Sequence, residues 1–217
     1  MNLARSIEGE LLVRNAEKLS TAEHIQGAGV YAIYYTGKFN PYQTIAAHNR
    51  NNQYKRPIYI GKAIPKGGRK GGISKDASKS RALADRLRQH AASINEAKNL
   101  ELADFDVRYL VVEDIWIPLG ENILIETFKP IWNRAIDGFG NKDPGRRRAT
   151  QFKSPWDVLH PGRNFAEKLA DGGLTEKFLV QRVEDYLAGR KLAPLPKVIA
   201  KQQAEEELEA EESADEV

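Results

Sequence analysis

The chain has 217 residues, a length that suits one large domain or two small ones and is ample for a hydrophobic core. It contains no cysteine, which excludes disulfides, thiolate metal sites and a cysteine nucleophile and suits a reducing compartment. No apolar run approaches the roughly 20 residues of a membrane span, and residues 1–18 lack the apolar core of a secretory signal. We therefore expect a soluble, cytoplasmic protein.

The net charge of +3 conceals an uneven distribution along the chain. Residues 204–217 hold eight acids and no base, and the rest of the chain holds 33 bases and 22 acids. Such an excess of positive charge attracts a polyanion such as nucleic acid, but many basic domains bind nothing. Charge alone leaves DNA binding open, and the acidic tail could either shield a basic groove or only improve solubility.

In chain order, an amphipathic pattern predicts a helix at residues 7–19, and two strands follow at 29–35 and 57–62. The segment between the strands, residues 38–56, carries four Lys or Arg and no acid, more than a plain hairpin needs. Residues 62–81 hold seven bases, one acid and four glycines. This composition fits a mobile loop that contacts phosphates or, equally, a solvated linker.

The next elements carry the candidate polar groups. A helix is predicted at residues 80–97, where Arg86 and His90 stand four apart and so share one face. A third strand at 105–113 is expected to lie centrally in the sheet. A helix at 119–128, closed by Pro130, carries Glu121 and Glu126. Spacing alone does not choose between these two carboxylates.

The last third of the chain is mixed in character. Residues 134–148 form a glycine-rich loop that ends in three consecutive arginines, which could meet a DNA backbone or guanine edges. Residues 156–187 are predicted to be helical in their later half. The proline-bearing stretch to residue 196 and the acidic tail are predicted to be disordered.

Several of these residues, taken in order, resemble the signature of the GIY-YIG nuclease superfamily. The matching residues are Gly29-Val30-Tyr31, Tyr59-Ile60-Gly61, Arg86, His90, a helical glutamate, Pro130 and Asn133. The long insertion, the QGAGVYAIYYTG entry, KPIWN, DGFGN, DPG and SPWDVLHPGR resemble more closely the type II restriction endonucleases that cut CCGCGG. This likeness covers roughly residues 25–187. Val30 replaces the isoleucine of the superfamily name, a conservative departure.

The resemblance implies an α+β fold with a small central antiparallel or mixed sheet flanked by helices. Its expected parts are an N-terminal helical arm at 1–25 and a nuclease core with DNA-binding insertions at 26–150. A C-terminal helical extension at 151–195 and a disordered acidic tail at 196–217 complete the chain.

The resemblance also implies catalytic roles. Tyr31 and Tyr59 would flank the attacking water, and Arg86 and His90 would hold or polarise the scissile phosphate. Whether Tyr31 or His90 is the general base stays open, because a tyrosine with a pKa of about 10 is a poor base unless positive charge favours its phenolate.

Two further residues have implied roles. Glu121 would bind one Mg²⁺ or Mn²⁺ per active site, and Asn133 would orient active-site groups and backbone. We prefer Glu121 to Glu126 because the family's metal-binding carboxylate stands about three helical turns before the asparagine, and Glu121 lies twelve residues before Asn133.

The expected partners are double-stranded DNA, a second copy of the chain on that DNA and a cognate DNA methyltransferase. The N-terminal helix and residues 38–56 are candidate interface or wrapping elements. The basic residues predicted to contact DNA are Lys38, Arg50, Lys55, Arg56, Lys62, Lys66, Arg69, Lys70, Arg146, Arg147 and Arg148. The alternative functions are a GIY-YIG repair or homing nuclease and a DNA-binding module without catalysis.

Overall fold

The computed structural model describes residues 3–65, 79–141 and 151–205. Its centre is an open, four-stranded antiparallel sheet in the order β1-β4-β2-β3. The strands are β1 (Glu17–Lys18), β2 (Gly29–Tyr35), β3 (Tyr59–Ala63) and β4 (Phe105–Val111). The predicted α+β class is confirmed, and so is the internal position of the third predicted strand, which is β4.

Helices cover both faces of this sheet. They are α1 (Leu3–Val13), α2 (Gln43–Asn49), α3 (Ala82–Glu96), α4 (Ile117–Phe128), α5 (Ile131–Arg134), α6 (Pro155–Leu159) and α7 (Glu176–Leu187). Short 3₁₀ turns connect several of them, and residues 197–205 are helical as well. In the described parts of the chain no helix is both long and apolar enough to cross a membrane.

The alternation of side chains along the strands separates the core into two layers. On one side, which we call the α3 face, Tyr31, Ile33, Tyr35 and Tyr59 pack against α3, α5 and the C-terminal helices. On the other side, the α4 face, Val30, Ala32, Tyr34 and Ile60 pack against α1 and α4. Strand β2 is buried along its whole length and supplies residues to both layers.

The N-terminal region differs from the prediction. The helix ends at Val13 rather than at residue 19, and Glu17 and Lys18 pair with Val107 and Asp106 of β4. The backbone bonds of this ladder and the 3.0 Å ion pair between Lys18 and Asp106 outweigh the local helical pattern. The helix packs on the core, since Ile7 and Leu11 of α1 are buried on the α4 face.

The insertion at residues 38–56, a candidate interface or wrapping element, is also partly a core element. It contains α2, and its residues Tyr42, Ile45, Ala46 and Asn49 are buried. The Asn49 side-chain amide donates to the carbonyls of Tyr35 and Arg56, which closes the insertion at its base.

A buried polar chain ties this insertion to the C-terminal extension. Trp132 Nε1 donates to the Tyr42 hydroxyl at 2.8 Å, so the Tyr42 proton points to His160 Nε2 at 2.7 Å. His160 Nδ1 in turn donates to the side-chain oxygen of Asn99 at 2.9 Å. Burial, together with the charge of Arg163, lowers the pKa of His160 to about 3, so the imidazole is neutral. In this protonation state both ring nitrogens of His160 have a partner.

The C-terminal region confirms one expectation and corrects another. The later half of residues 156–187 is helical as predicted, in α7. Residues 197–205 were predicted to be disordered but form a helix, because Ile199 is buried and Gln202 accepts a hydrogen bond from the Phe152 backbone at 2.7 Å. The remaining tail, residues 206–217, lies outside the described residues.

Candidate active site

Tyr31 and His90 form the centre of the site. Tyr31 lies in the middle of β2 and His90 lies on α3, and both are buried. The Tyr31 hydroxyl hydrogen-bonds to His90 Nε2 at 2.7 Å. This contact couples the proton of the phenol to an imidazole that could accept it.

Gly61 makes room for this pair. It stands directly opposite Tyr31 in the β2–β3 ladder, and its position faces the phenol ring. A Cβ atom at Gly61 would lie 2.4 Å from the Tyr31 hydroxyl, a distance that a packed interior does not allow. The glycine of the second tripeptide is therefore required by the position of the first tyrosine.

Tyr59 and Arg86 complete the polar end of the α3 face. The rings of Tyr31 and Tyr59 lie 6.3 Å apart, and Tyr59 is 9% exposed. Arg86 is half-buried one turn before His90, so the predicted common face of these two residues is confirmed. The Arg86 guanidinium donates from Nη2 to the Gly140 carbonyl at 2.9 Å.

Burial controls the protonation of both tyrosines. It raises the pKa of Tyr31 well above its ordinary value and the pKa of Tyr59 to about 12, while the nearby charge of Arg86 acts in the opposite direction. The carboxylate of Glu121 raises both pKa values further. Both phenols thus carry their protons at neutral pH.

Glu121 and Glu126 occupy different environments on α4. The Glu121 side chain is 15% exposed, and its Oε2 pairs with Lys62 Nζ at 2.8 Å, next to the tyrosines. The Glu126 side chain is 70% exposed and pairs with Arg134 at the surface. Of the two candidate carboxylates, only Glu121 acts electrostatically on both Tyr31 and Tyr59.

Asn133 holds the free edge of the sheet beside Tyr59. Its side-chain oxygen accepts the Ile60 N–H at 2.9 Å, and its Nδ2 donates to the Ile60 carbonyl at 2.8 Å. Since β3 is the last strand of the sheet among the described residues, the Asn133 amide takes the place of a neighbouring strand. Asn133 thereby orients the backbone that carries Tyr59.

The loop at residues 138–141 forms the outer wall of the site. The Phe139 ring stacks on the His90 imidazole with centroids 4.4 Å apart and planes at 17°, and it meets the edge of Tyr59 at 5.0 Å. A pocket of about 320 Å³ opens beside it, lined by Arg86, Gln89, His90, Ser93, Phe139 and Arg163 among others.

Comparison with protein families identifies this arrangement. The Eco29kI GIY-YIG domain matches residues 23–187, from just before β2 to the end of α7. The chain belongs to this family of GIY-YIG restriction endonucleases. No individual curated protein gives a significant match. The match covers every residue that the structure gathers at the polar end of the α3 face, so the Eco29kI-type domain alone contains the site.

The Eco29kI-type site has a donor set that fits a hard divalent cation. The described residues contain no group of three or more Asp, Glu, His or Cys side chains placed to hold a metal. Mg²⁺ does not require one, because it keeps several waters and binds through one or two carboxylates plus substrate phosphates. Glu121 is half-buried beside the tyrosines and can serve as that single carboxylate.

The predicted DNA-binding residues of this nuclease fall into three groups. Lys38 and Lys55 are exposed, whereas Arg56 is half-buried and Arg50 donates from Nη2 to the Gly37 carbonyl at 3.0 Å. Lys62 lies inside the site as the partner of Glu121. The positions outside the described residues are Lys66, Arg69, Lys70, Arg146, Arg147 and Arg148.

Three residues that the structure places in the Eco29kI-type site were given no role in that site from the sequence. Lys62 was predicted only as a DNA contact, and neither Phe139 nor Arg163 was given a role. The available signal was the position of Phe139 between two glycines in DGFGN and of Arg163 at the end of SPWDVLHPGR. A sequence pattern marks such residues without showing what they contact.

Proposed function

We propose that the protein is a type II restriction endonuclease that makes double-strand cuts in palindromic DNA by metal-dependent phosphodiester hydrolysis. The observation that carries the proposal is the Tyr31–His90 hydrogen bond at 2.7 Å, with Arg86, Tyr59 and Glu121 around it. A proton acceptor, a fixed cation and a carboxylate are the groups that in-line hydrolysis of a phosphodiester needs. The target CCGCGG rests on the sequence resemblance.

In the proposed mechanism Tyr31 and His90 act as one base. Tyr31 takes a proton from the attacking water while its own proton passes to His90 Nε2, so the water oxygen becomes the nucleophile and His90 becomes cationic. The raised pKa of Tyr31 favours this concerted transfer over a standing phenolate. In this proposal the two residues share the general-base role, with Tyr31 at the attacking water and His90 as the final proton acceptor.

Arg86, Glu121 and Asn133 provide charge and position in this mechanism. Arg86 neutralises the phosphate through a guanidinium already oriented by the Gly140 carbonyl. Glu121 holds Mg²⁺ or Mn²⁺, which when bound stabilises negative charge on the phosphate and the leaving oxygen. Lys62 balances the Glu121 charge, and Asn133 keeps β3 and Tyr59 in register.

The assembly follows from the symmetry of the target. One site cuts one strand, so a palindrome calls for two sites related by a two-fold axis, and we propose a homodimer on DNA. A methyltransferase that protects the same sequence is the expected partner in the cytoplasm. Light scattering of the complex tests the stoichiometry, and one protein copy per cleaved duplex would contradict it.

A plasmid cleavage assay with Mg²⁺ and with EDTA tests the activity. Discrete fragments that appear only with Mg²⁺ are the expected result, and a plasmid in which every CCGCGG has been altered is the matched control. Metal-dependent nicking without a fragment pattern would indicate a repair-type nuclease. Binding without cleavage would indicate a DNA-binding module and refute the proposed chemistry.

A further inference from the structure

The backbone carbonyls of residues 138–141, which we call the carbonyl loop, are all held by two arginines. Arg163 donates to three of them, to Gly138 at 2.8 Å from Nη2 and to Phe139 at 3.1 Å and Asn141 at 3.3 Å from Nη1. The fourth, that of Gly140, accepts from Arg86 at 2.9 Å. The carbonyl loop therefore links a buried guanidinium to one at the active site.

Arg163 is fixed in its own position. Its side chain and that of Asp157 are each 1% exposed, and Arg163 Nε donates to Asp157 Oδ1 at 2.7 Å. Ser154 Oγ donates to the other carboxylate oxygen at 2.6 Å, and the guanidinium lies 4.5 Å from the centroid of the Trp156 ring. A buried charge with this many partners has one stable arrangement, because each lost bond would leave an uncompensated polar group.

The carbonyl loop contacts two of the proposed catalytic residues directly. Phe139 presents its ring to the His90 imidazole in a stacked contact at 4.4 Å, and the Gly140 carbonyl holds Arg86. Gly140 is closely packed against the site, because a Cβ at this position would lie 2.9 Å from the Tyr59 hydroxyl and 3.3 Å from Arg86 Nη2. A displacement of the carbonyl loop would therefore displace His90, Arg86 or Tyr59.

We infer that Arg163 is a positioning residue of the nuclease site, which sets the Arg86 guanidinium and the His90 imidazole through the carbonyl loop. Arg163 is itself 1% exposed, so its proposed effect on the site runs through the carbonyl loop. Its catalytic consequence rests on the proposed function, whereas its structural link to His90 does not. The two parts can be measured separately.

The first measurement separates chemistry from binding. Arg163→Lys keeps a positive charge beside Asp157 but cannot donate to three carbonyls at once. We expect the single-turnover cleavage rate at saturating DNA to fall about 10²-fold, as for a misplaced catalytic group, while the DNA dissociation constant measured in EDTA stays unchanged. Asp106→Asn is the control, since it breaks the ion pair between a buried carboxylate and the partly exposed Lys18 and should lower stability without changing the rate.

The second measurement does not depend on activity. In protein labelled with ¹³C at histidine Cε1, the His90 signal is identified by its loss in His90→Gln and carries the ring-current shift of the stacked Phe139. In Arg163→Lys we expect this signal to move toward its position in Phe139→Leu, and in Asp106→Asn we expect it to stay in place. This result holds even if the wild-type protein fails to cleave DNA, which would refute only the proposed function.

Two outcomes would overturn the inference. One is a folded Arg163→Lys protein with wild-type cleavage and an unmoved His90 signal. If Arg163→Lys does not fold, Phe139→Leu tests the same link from the other end, because leucine fills the core but does not stack. Wild-type cleavage by Phe139→Leu would then show that the carbonyl loop does not position His90.

Discussion

The two faces of the sheet differ in chemistry although they share the same strands. The α4 face is mainly aliphatic, with Val30, Ala32, Ile60 and Leu110 in contact with α1 and α4. The α3 face also contains many aliphatic residues, but it holds most of the buried aromatic side chains, with Tyr31 and Tyr59 at its functional end. Aliphatic packing stabilises without directing hydrogen bonds, whereas a buried tyrosine or histidine combines packing area with a polar atom that needs a defined partner.

The site joins the two faces at one end of the sheet. The α3 face supplies the tyrosines, His90 and Arg86, and the α4 face supplies the carboxylate of Glu121 with its partner Lys62. This arrangement predicts that proton transfer depends on the α3 face and metal binding on the α4 face. Variants on each side should show different defects.

The largest effect is expected on the α4 side, from Glu121→Gln. Glutamine keeps the size of the side chain but removes the anionic ligand that a hard cation needs, so cleavage should fall by several orders of magnitude. DNA binding should survive or tighten, because one negative charge near the phosphates is removed. Cleavage rates over a range of Mg²⁺ concentrations and binding in EDTA measure the two effects.

Glu126→Gln is the matched control for Glu121→Gln, because Glu126 lies on the same helix but pairs only at the surface. It should leave cleavage nearly intact. The reverse pattern would assign the metal to Glu126. If neither variant affected cleavage, the metal ligand would not lie on α4.

A somewhat smaller effect is expected on the α3 side, from Tyr31→Phe. This change keeps the ring and its packing but removes the hydroxyl that links water to His90, so cleavage should fall about 10²- to 10⁴-fold. Unlike Glu121→Gln, it should leave the Mg²⁺ dependence of the residual activity unchanged. Tyr35→Phe, at a buried tyrosine of the same strand and face, is the control, and an equal loss there would argue against a role in proton transfer.

Acid should destabilise the protein through the α3 face. The pKa of His160 is about 3 in the folded protein and ordinarily 6.5, so the unfolded chain binds more protons between these values. Stability is then full above about pH 6.5 and is lost as the pH falls toward 3, by up to about 5 kcal/mol. Urea unfolding at several pH values measures this loss. His160→Gln should be less stable at pH 7 but should show a flatter dependence between pH 6.5 and 3.

The smallest effects are expected from the predicted DNA contacts that lie outside the described residues. Neutralising Lys66, Arg69 and Lys70 together should weaken binding to all DNA sequences and reduce the salt slope by up to roughly 3. Changing Arg146, Arg147 or Arg148 should instead relax sequence preference by about 1 to 3 kcal/mol if that arginine binds guanine. Equal losses on cognate and random DNA would exclude a base-specific role for these arginines.

The sequence predicted the framework of the site because its signals are local. The period-2 pattern of β2 places Tyr31 and Val30 on opposite faces, and the four-residue spacing on α3 places Arg86 and His90 together. The resemblance to GIY-YIG restriction endonucleases and the α+β class needed no more than motif order. The family match confirmed the first and the structure confirmed the second.

The errors arose where a segment's structure depends on distant partners. Residues 14–19 resemble a helix in isolation but leave it when Glu17 and Lys18 pair with β4. Residues 197–205 carry five charged or amide side chains near the acidic tail, and their helix is held by the burial of Ile199 and the contact of Gln202 with the Phe152 backbone. In each case the tertiary contact outweighs a weak local preference.

By itself the sequence determined which chemical groups are present and on which face of its own helix or strand each one lies, since backbone periodicity fixes both. Tertiary structure decided which groups meet. The different surroundings of Glu121 and Glu126 became visible once α4 was packed beside β3, with Lys62 against one carboxylate and Arg134 against the other. The link from Arg163 to His90 has the same origin, because hydrogen bonds and ring contacts between residues more than 20 positions apart have no signature in local sequence.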